Sequence, residues 1–337
     1  MDSNLNTELF FSVVIPTRNR PEMFRVALDS VISQNFDNFE IIIIDDGSTP
    51  DSQSMYKELM IQYATKVTLH SLVYRPNGHG PSYTRNYGAQ LAKGKYVCFL
   101  DDDDSWSDPD HLLNAYKSIS SKDETVDVYY SNQKAFFENG KELKEFIWIE
   151  ELSSKTNNFV RDECGAVFVD TGFLMQSSGF AHMNCTIVNR AFFCKMNGMD
   201  ENIRYESDRE FYLRTIDEAG FILFNPAVIA RHNIPDSQKK NNVSTRSSPY
   251  EKLIFQLRTY NKGMLFAKKK EIRRFCKTNK MYTLKKLTEC LQRDKNYGLS
   301  RHYAFQALTT NFSFKWLMFT AYLTVMSIIV REVNKDN

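Results

Sequence analysis

The chain has 337 residues, 42% of them hydrophobic and 25% charged, which leaves room for one large domain or a domain with an appendage. A net charge of +2 argues against a dedicated nucleic-acid binder. The six cysteines, Cys98, Cys164, Cys185, Cys194, Cys276 and Cys290, form no C-x-x-C pair and read as free thiols of a reducing compartment. Residues 1–8 are polar and lack the apolar core of a signal peptide.

In chain order, Val13-Val14-Ile15 is a short β-branched strand stopped by Pro16. A helix follows Pro21, with Phe24, Ala27, Leu28, Val31 and Ile32 at helical spacing. Ile41-Ile42-Ile43-Ile44 is apolar on every side, as a central parallel strand must be, and Asp45-Asp46-Gly47-Ser48 breaks it. A second helix covers about 52–63, and 67–73 reads as a third strand. A loop with two glycines, 75–80, precedes Pro81, which opens a helix that Gly94 ends. Tyr96-Val97-Cys98-Phe99-Leu100 is the fourth strand. Four strands separated by helices imply a doubly wound α/β sheet.

That last strand delivers four consecutive carboxylates, Asp101 to Asp104. Adjacent carboxylates repel and raise one another's pKa unless a cation sits among them. Mg²⁺ and Mn²⁺ take oxygen ligands, commonly carboxylates together with substrate phosphates. A solvated acidic turn that caps the next helix is the alternative. In open α/β sheets ligands bind beyond the carboxyl ends of the strands. Three polar clusters fall there: Pro16-Thr17-Arg18-Asn19-Arg20, Asp45-Asp46-Gly47-Ser48 and the aspartates. No G-x-G-x-x-G or G-x-x-x-x-G-K-[ST] is present, against a dinucleotide fold or a phosphate-loop NTPase.

These residues resemble family 2 glycosyltransferases of the GT-A fold. The resemblance is carried by Val13 through Arg20, by Ile44-Asp45-Asp46-Gly47-Ser48, and by Tyr83-Thr84-Arg85-Asn86-Tyr87-Gly88, similar to an A-R-N-x-G segment. Gly94 through Asp104 resembles the D-x-D strand, and Asn197-Gly198-Met199-Asp200-Glu201 resembles a G-x-D-E turn. It covers roughly residues 10–235 and stops near 240. It implies a mostly parallel sheet flanked by helices, with a catalytic domain over 1–240 and a helical extension over 241–337.

The resemblance also implies roles. Pro16, Thr17, Arg18, Asp46, Arg85, Asp101 and Asp102 would contact the nucleotide sugar, Asp46 at the base and Asp102 at the ribose. Asp103 would hold Mn²⁺ or Mg²⁺ across the diphosphate, and some relatives place a histidine at the position of His232 as a metal or phosphate contact, where a structural hydrogen-bonding histidine is the alternative. Asp208 would be the general base that deprotonates an acceptor hydroxyl. The usual Glu before it is Ser207 here, and Glu206 stands one place early. A plain helix-cap reading fits Asp208 as well in isolation.

Residues 126–130 read as another strand, and 134–137 and 143–148 flank the hairpin turn Asn139-Gly140. Phe146, Trp148 and Phe159 can stack on a sugar or fill a core. The polar segment 236–249 reads as a loop over the donor or as a linker. Beyond it the chain reads as helical, with ten Lys/Arg against Glu271 alone over 262–286. The longest apolar stretch, 316–330, is shorter than the ~20 residues of a spanning helix. Basic and aromatic helices suit an anionic membrane surface, or else cap the catalytic domain.

The expectation is an inverting, metal-dependent glycosyltransferase. It would use a nucleotide diphosphate sugar, a UDP-sugar foremost, and a glycan or lipid-linked glycan acceptor. The setting would be surface polysaccharide assembly, lipopolysaccharide or capsule, in the cytoplasm or at the inner face of its membrane. Two other classes are open: a non-catalytic nucleotide- or sugar-binding subunit, and a sugar nucleotidyltransferase. The second needs a glycine-rich phosphate loop after the first strand, and 16–21 holds no glycine.

Overall fold

A computed structural model of the chain describes residues 8–63, 66–234 and 243–333. The chain divides into two compact units, Met1–Lys239 and Lys240–Asn337. Of the segment 236–249 expected to form a loop or linker, residues 236–242 lie outside the described residues, and the remainder includes the short helix Val243–Arg246.

Among the described residues, nine strands form one sheet in the first unit: β1 Phe11–Thr17, β2 Phe39–Asp45, β3 Val67–Ser71, β4 Tyr96–Phe99, β5 Ser105–Trp106, β6 Val128–Phe136, β7 Val167–Val169, β8 Thr186–Asn189 and β9 Ile222–Asn233. The order is β3-β2-β1-β4-β8-β6-β9-β5, and β7 also pairs with β9. The run β3-β2-β1-β4 is parallel throughout. Antiparallel β8 then joins β4 to β6, which runs parallel to β9. Helices α1 Pro21–Ile32, α2 Pro50–Gln62, α3 Pro81–Leu91 and α4 His111–Ser120 alternate with the early strands. The short α5 Thr171–Leu174 and α6 Arg190–Lys195 precede α7 Ser207–Glu218.

The isoleucines of β2 are all buried because helices cover both faces of the sheet. The core beneath one face joins Val13, Ile15, Ile41 and Ile43 to Phe24, Leu28 and Val31 of α1. On α3, a Cβ at Gly88 would lie 2.3 Å from Val14 Cγ1 and 3.3 Å from Ile44 Cγ1. The absent side chain lets this helix lie directly on β1 and β2.

Two local expectations differ from the structure. Pro16 does not stop β1, which continues to Thr17 with Pro16 opposite Ile44. Pairing of β1 with β4 covers only Phe11–Val14, so the missing N–H of Pro16 faces no ladder partner. Around Asn139-Gly140 the turn forms, with Gly140 at φ 78°, but no second strand does. The return segment makes only the bridge between Phe136 and Glu142.

The second unit contains α8 Val243–Arg246, α9 Pro249–Phe266, α10 Lys270–Arg293, α11 Tyr297–Thr310 and α12 Phe314–Val333. Ser248 and Glu251 close a capping box at the start of α9. Leu257, Leu284, Leu287, Leu291, Ala304, Leu308, Trp316 and Leu323 form its core.

Gly88→Ala tests the α3 contact: overpacking against Val14 is expected to cost about 1–3 kcal/mol, read as a lower melting temperature. An unchanged melting temperature would show that α3 has room to shift.

Candidate functional site

The site is built on the carboxyl ends of β1, β2 and β4. Thr17 Oγ1 donates to Asp102 Oδ2 at 2.7 Å and lies 2.9 Å from the hydroxyl of buried Tyr56. The backbone N–H of Asn19 donates to Ser48 Oγ at 2.9 Å, joining the ends of β1 and β2. The three expected polar clusters are therefore in contact.

Each aspartate of the run has its own partners. Asp101 pairs with buried Arg85 of α3. Asp102 faces Arg20 Nη2 at 2.6 Å, and Asp103 faces Arg20 Nη1 at 3.0 Å. Asp104 lies 2.8 Å from His232 Nδ1 and accepts from Asn184 Nδ2 at 2.6 Å and from the Asn233 N–H at 2.8 Å. Burial pushes the Asp102 carboxyl up to about 7, and Arg20 does not offset it, since Asp103 and Asp101 add repulsion. Burial, then Asp104, also raises Asp103. Burial acts the same way on Asp101, but the Arg85 guanidinium overcomes it and holds that carboxyl at about 2. Burial works to lower His232, yet Asp104 beside it lifts the imidazole to about 9.

Asp208 sits in the first turn of α7. It does not occupy the cap position, which is Glu206 in a left-handed conformation with φ 52°. Instead, Asp208 Oδ1 lies 3.4 Å from Arg85 Nη1 and Oδ2 lies 3.5 Å from His182 Nε2. Glu206 pairs with Arg209 at 2.8 Å. Arg85 thus bridges Asp101 and Asp208. The Asn86 side chain next to it clasps Met199 through N–H and carbonyl, at 2.8 and 3.0 Å. That fixes α3 to the turn at Gly198, which has φ 60° and where a Cβ would meet Asn86 Oδ1 at 2.4 Å.

Asp46 and Arg18 stand at the other side, against the 75–80 loop. Asp46 Oδ1 accepts from the His79 N–H at 2.7 Å and lies 2.9 Å from His79 Nδ1, while Oδ2 accepts from the Gly80 N–H at 3.1 Å. The His79 ring stacks on Tyr83, with centroids 4.9 Å apart. Arg18 Nη2 donates to the carbonyls of Arg75 and Pro76 at 2.7 and 3.1 Å. Pro16 lies on β1 just before Thr17.

Among the described residues, two ligand sets can hold a cation: Asp101, Asp103 and Asp104, and Asp104, His182 and His232, each with ligand atoms within 4.8 Å of one another. The three carboxylates of the first set fit Mg²⁺ or Mn²⁺ chemically, and burial together with Asp104 raises Asp103, so a cation there would be favourable. Sequence reasoning placed Arg20 and Asp104 in the strand-end clusters without giving either a role, and it did not notice His182 or Asn184. His182 lies in no motif; only the fold brings it beside His232, with ring centroids 5.2 Å apart. Of the three aromatic side chains considered for stacking, Trp148 packs edge-on against both histidines, at 5.6 and 5.1 Å. Phe146 is exposed, and Phe159 packs on Phe173.

The profile of the family described as Glycosyl transferase family 2 matches residues 12–183, just over half of the chain. The Rhizobium meliloti succinoglycan biosynthesis protein ExoW is 30% identical over 203 residues, 58% of this chain and 58% of its own length. The Erwinia amylovora amylovoran biosynthesis glycosyltransferase AmsB is 40% identical over 101 residues, 29% of this chain and 32% of its own. The chain therefore spans less than two thirds of either relative. Among solved structures, S. aureus TarS 1–349 in complex with UDP-GlcNAc has a TM-score of 0.65 at 17% identity, covering 89% of this chain and 81% of that one. The Pyrobaculum calidifontis mannosyltransferase PcManGT, in complex with GDP-Man and Mn²⁺, has a TM-score of 0.58 at 14% identity, covering 94% and 86%. At such identities the likeness is one of fold, and the fold is the GT-A arrangement the motifs implied.

A base whose folded pKa is raised stabilises the protein fully below its unfolded value and loses that contribution as pH rises through the folded one. With chelator present, His232 is therefore expected to lower the melting temperature as pH climbs from 6.5 to 9. The whole contribution is at most ~3 kcal/mol. His232→Gln should flatten that slope; the parent slope in the variant would refute the pairing with Asp104.

Proposed function

Because this chain belongs to glycosyl transferase family 2, we propose that it is an inverting, metal-dependent glycosyltransferase. It transfers one sugar from a nucleotide diphosphate sugar to a hydroxyl of a glycan or lipid-linked glycan. The observation that carries the reading is the bridge made by Arg85, which puts Asp208 beside the aspartate run in one cluster. Donor binding and catalysis belong in this reading to the first unit, Met1–Lys239.

Asp208 takes the proton of the acceptor hydroxyl, which attacks the anomeric carbon from the face opposite the leaving diphosphate. Arg85 and His182 hold its two oxygens in place. Asp46, with Arg18 and Thr17, receives the nucleoside end of the donor, and Asp102 the ribose. Asp103, with Asp101 and Asp104, would hold Mn²⁺ or Mg²⁺, and His232 pairs with Asp104 beside that set. When bound, that cation neutralises charge on the departing diphosphate.

A UDP-sugar is the proposed donor, in keeping with the UDP-GlcNAc complex of the similar TarS structure. Relatives named for succinoglycan and amylovoran biosynthesis support a setting in surface polysaccharide assembly. The proposed location is the cytoplasmic side, where the free thiols remain reduced.

Purified protein with Mn²⁺, offered UDP-, GDP-, dTDP- and CMP-sugars, is expected to bind and slowly hydrolyse a UDP-sugar. Asp103→Ala should abolish the metal-dependent part. Asp208→Asn should keep UDP binding and lower transfer by about 10²–10⁴-fold. Transfer at the parent rate in Asp208→Asn would overturn the base assignment. A folded protein that binds no nucleotide sugar would overturn the reading as a whole.

A further inference from the structure

The last helix of the second unit has its outer face in the open. On α12, Trp316, Thr320 and Leu323 are buried in the helical core. Phe314, Leu317, Met318, Tyr322, Val325, Ile328 and Ile329 are 37–70% exposed, and Ala321 is exposed among them. At 100° per residue these eight positions fall on a single arc of about 140°, running along roughly 22 Å of helix. Lys315 borders the arc and is the one charged residue from 314 to 330. Phe312, just before the helix, is 69% exposed. A monomeric soluble protein rarely leaves so continuous an apolar face uncovered.

Two occupants fit an uncovered apolar helix: a second copy of this chain or a lipid surface. Charge separates them. From 249 to 331 the chain carries seventeen Lys/Arg against four Asp/Glu, and from 295 to 331 it carries no acid. Cationic α10 borders α12, with Lys285 Nζ 4.9 Å over the Trp316 ring. Arg273, Arg274, Lys277 and Lys286 on α10 are exposed. A second copy would bring the same excess of positive charge to the contact and repel it. Anionic headgroups would neutralise that charge. Among the described residues no helix is long and apolar enough to cross a membrane.

We infer that the second unit docks on an anionic phospholipid surface. Helix α12 lies in the plane of the interface, with Phe314, Met318, Val325 and Ile329 in the acyl boundary and the basic residues at headgroup level. Aromatic rings near the start of α12 (Phe312, Phe314) and at its flank (Tyr322) suit the boundary between acyl chains and water. The docking is independent of donor turnover, so vesicle binding and transfer can fail separately.

The test uses the full chain, sedimented with vesicles of phosphatidylcholine alone or mixed with phosphatidylglycerol. Binding to the anionic vesicles, weakened by salt, is expected. Met318→Asp with Val325→Asp should lower the affinity by about tenfold or more. Both positions are exposed, so folding is retained, and circular dichroism checks it. Arg273→Glu with Arg274→Glu should weaken binding without touching the apolar face. Three outcomes would overturn the inference: no binding to anionic vesicles by folded chain, equal binding by the Met318→Asp/Val325→Asp variant, or a dimer in light scattering that this variant dissolves.

Discussion

Four carboxylates in a row, delivered by a buried strand, cannot all be ionised without compensation. Their mutual repulsion in a site shielded from water is the constraint around which the first unit is arranged. The fold answers it residue by residue. Asp101 has Arg85, Asp102 has Arg20 and Thr17, Asp103 shares Arg20, and Asp104 has His232, Asn184 and the Asn233 amide. These partners come from the loop before α1, from α3, from the approach to β8 and from the end of β9. Compensation is incomplete, since Asp102 and Asp103 remain raised. That residual deficit of positive charge is what a divalent cation can supply.

The same constraint explains why elements far apart in sequence must pack closely. Arg85 reaches both Asp101 and Asp208 only because α3 lies flat on β1 and β2, which the bare Gly88 allows. Asn86 then fastens α3 to the turn before α7, so the helix that carries Asp208 is held to the same scaffold. Arg214 on α7 reinforces this, donating to the carbonyls of Met196 and Gly198 at 2.6 and 2.7 Å. Packing and electrostatics here are one problem: a shift of α3 would separate Arg85 from one of its two carboxylates.

The first hundred residues were readily legible as sequence. Strands buried on both faces are written as unbroken apolar runs, and their polar ends fall where an open α/β sheet binds ligands. The second half of the sheet was harder to read. β8 and β9 mix apolar and polar residues because they border the site, and the pairing of β6 with β9 depends on a register shift near Asn132 that no pattern announces. Asp208 was legible only through the order of motifs, since a carboxylate in the first turn of a helix is ordinary. His182 carried no local signal: its relation to Asp208, Asp101 and His232 is set by the path into β8. Arg20 stood in a polar cluster that was noticed, but nothing in the sequence says that one guanidinium spans two aspartates.

Asp46 is already engaged by its own chain. The His79 and Gly80 amides and the His79 imidazole converge on its two oxygens, while Arg18 grips the carbonyls of Arg75 and Pro76. On the proposed reading, a ring N–H arriving at this carboxylate would compete with these contacts for its oxygens. The net gain is the difference between two satisfied arrangements, which is small even when each bond is strong. Discrimination at such a position comes less from attraction toward the right base than from the cost of unseating the loop for a wrong one. On the proposed reading, the segment 75–80 would then set a threshold for an entering base.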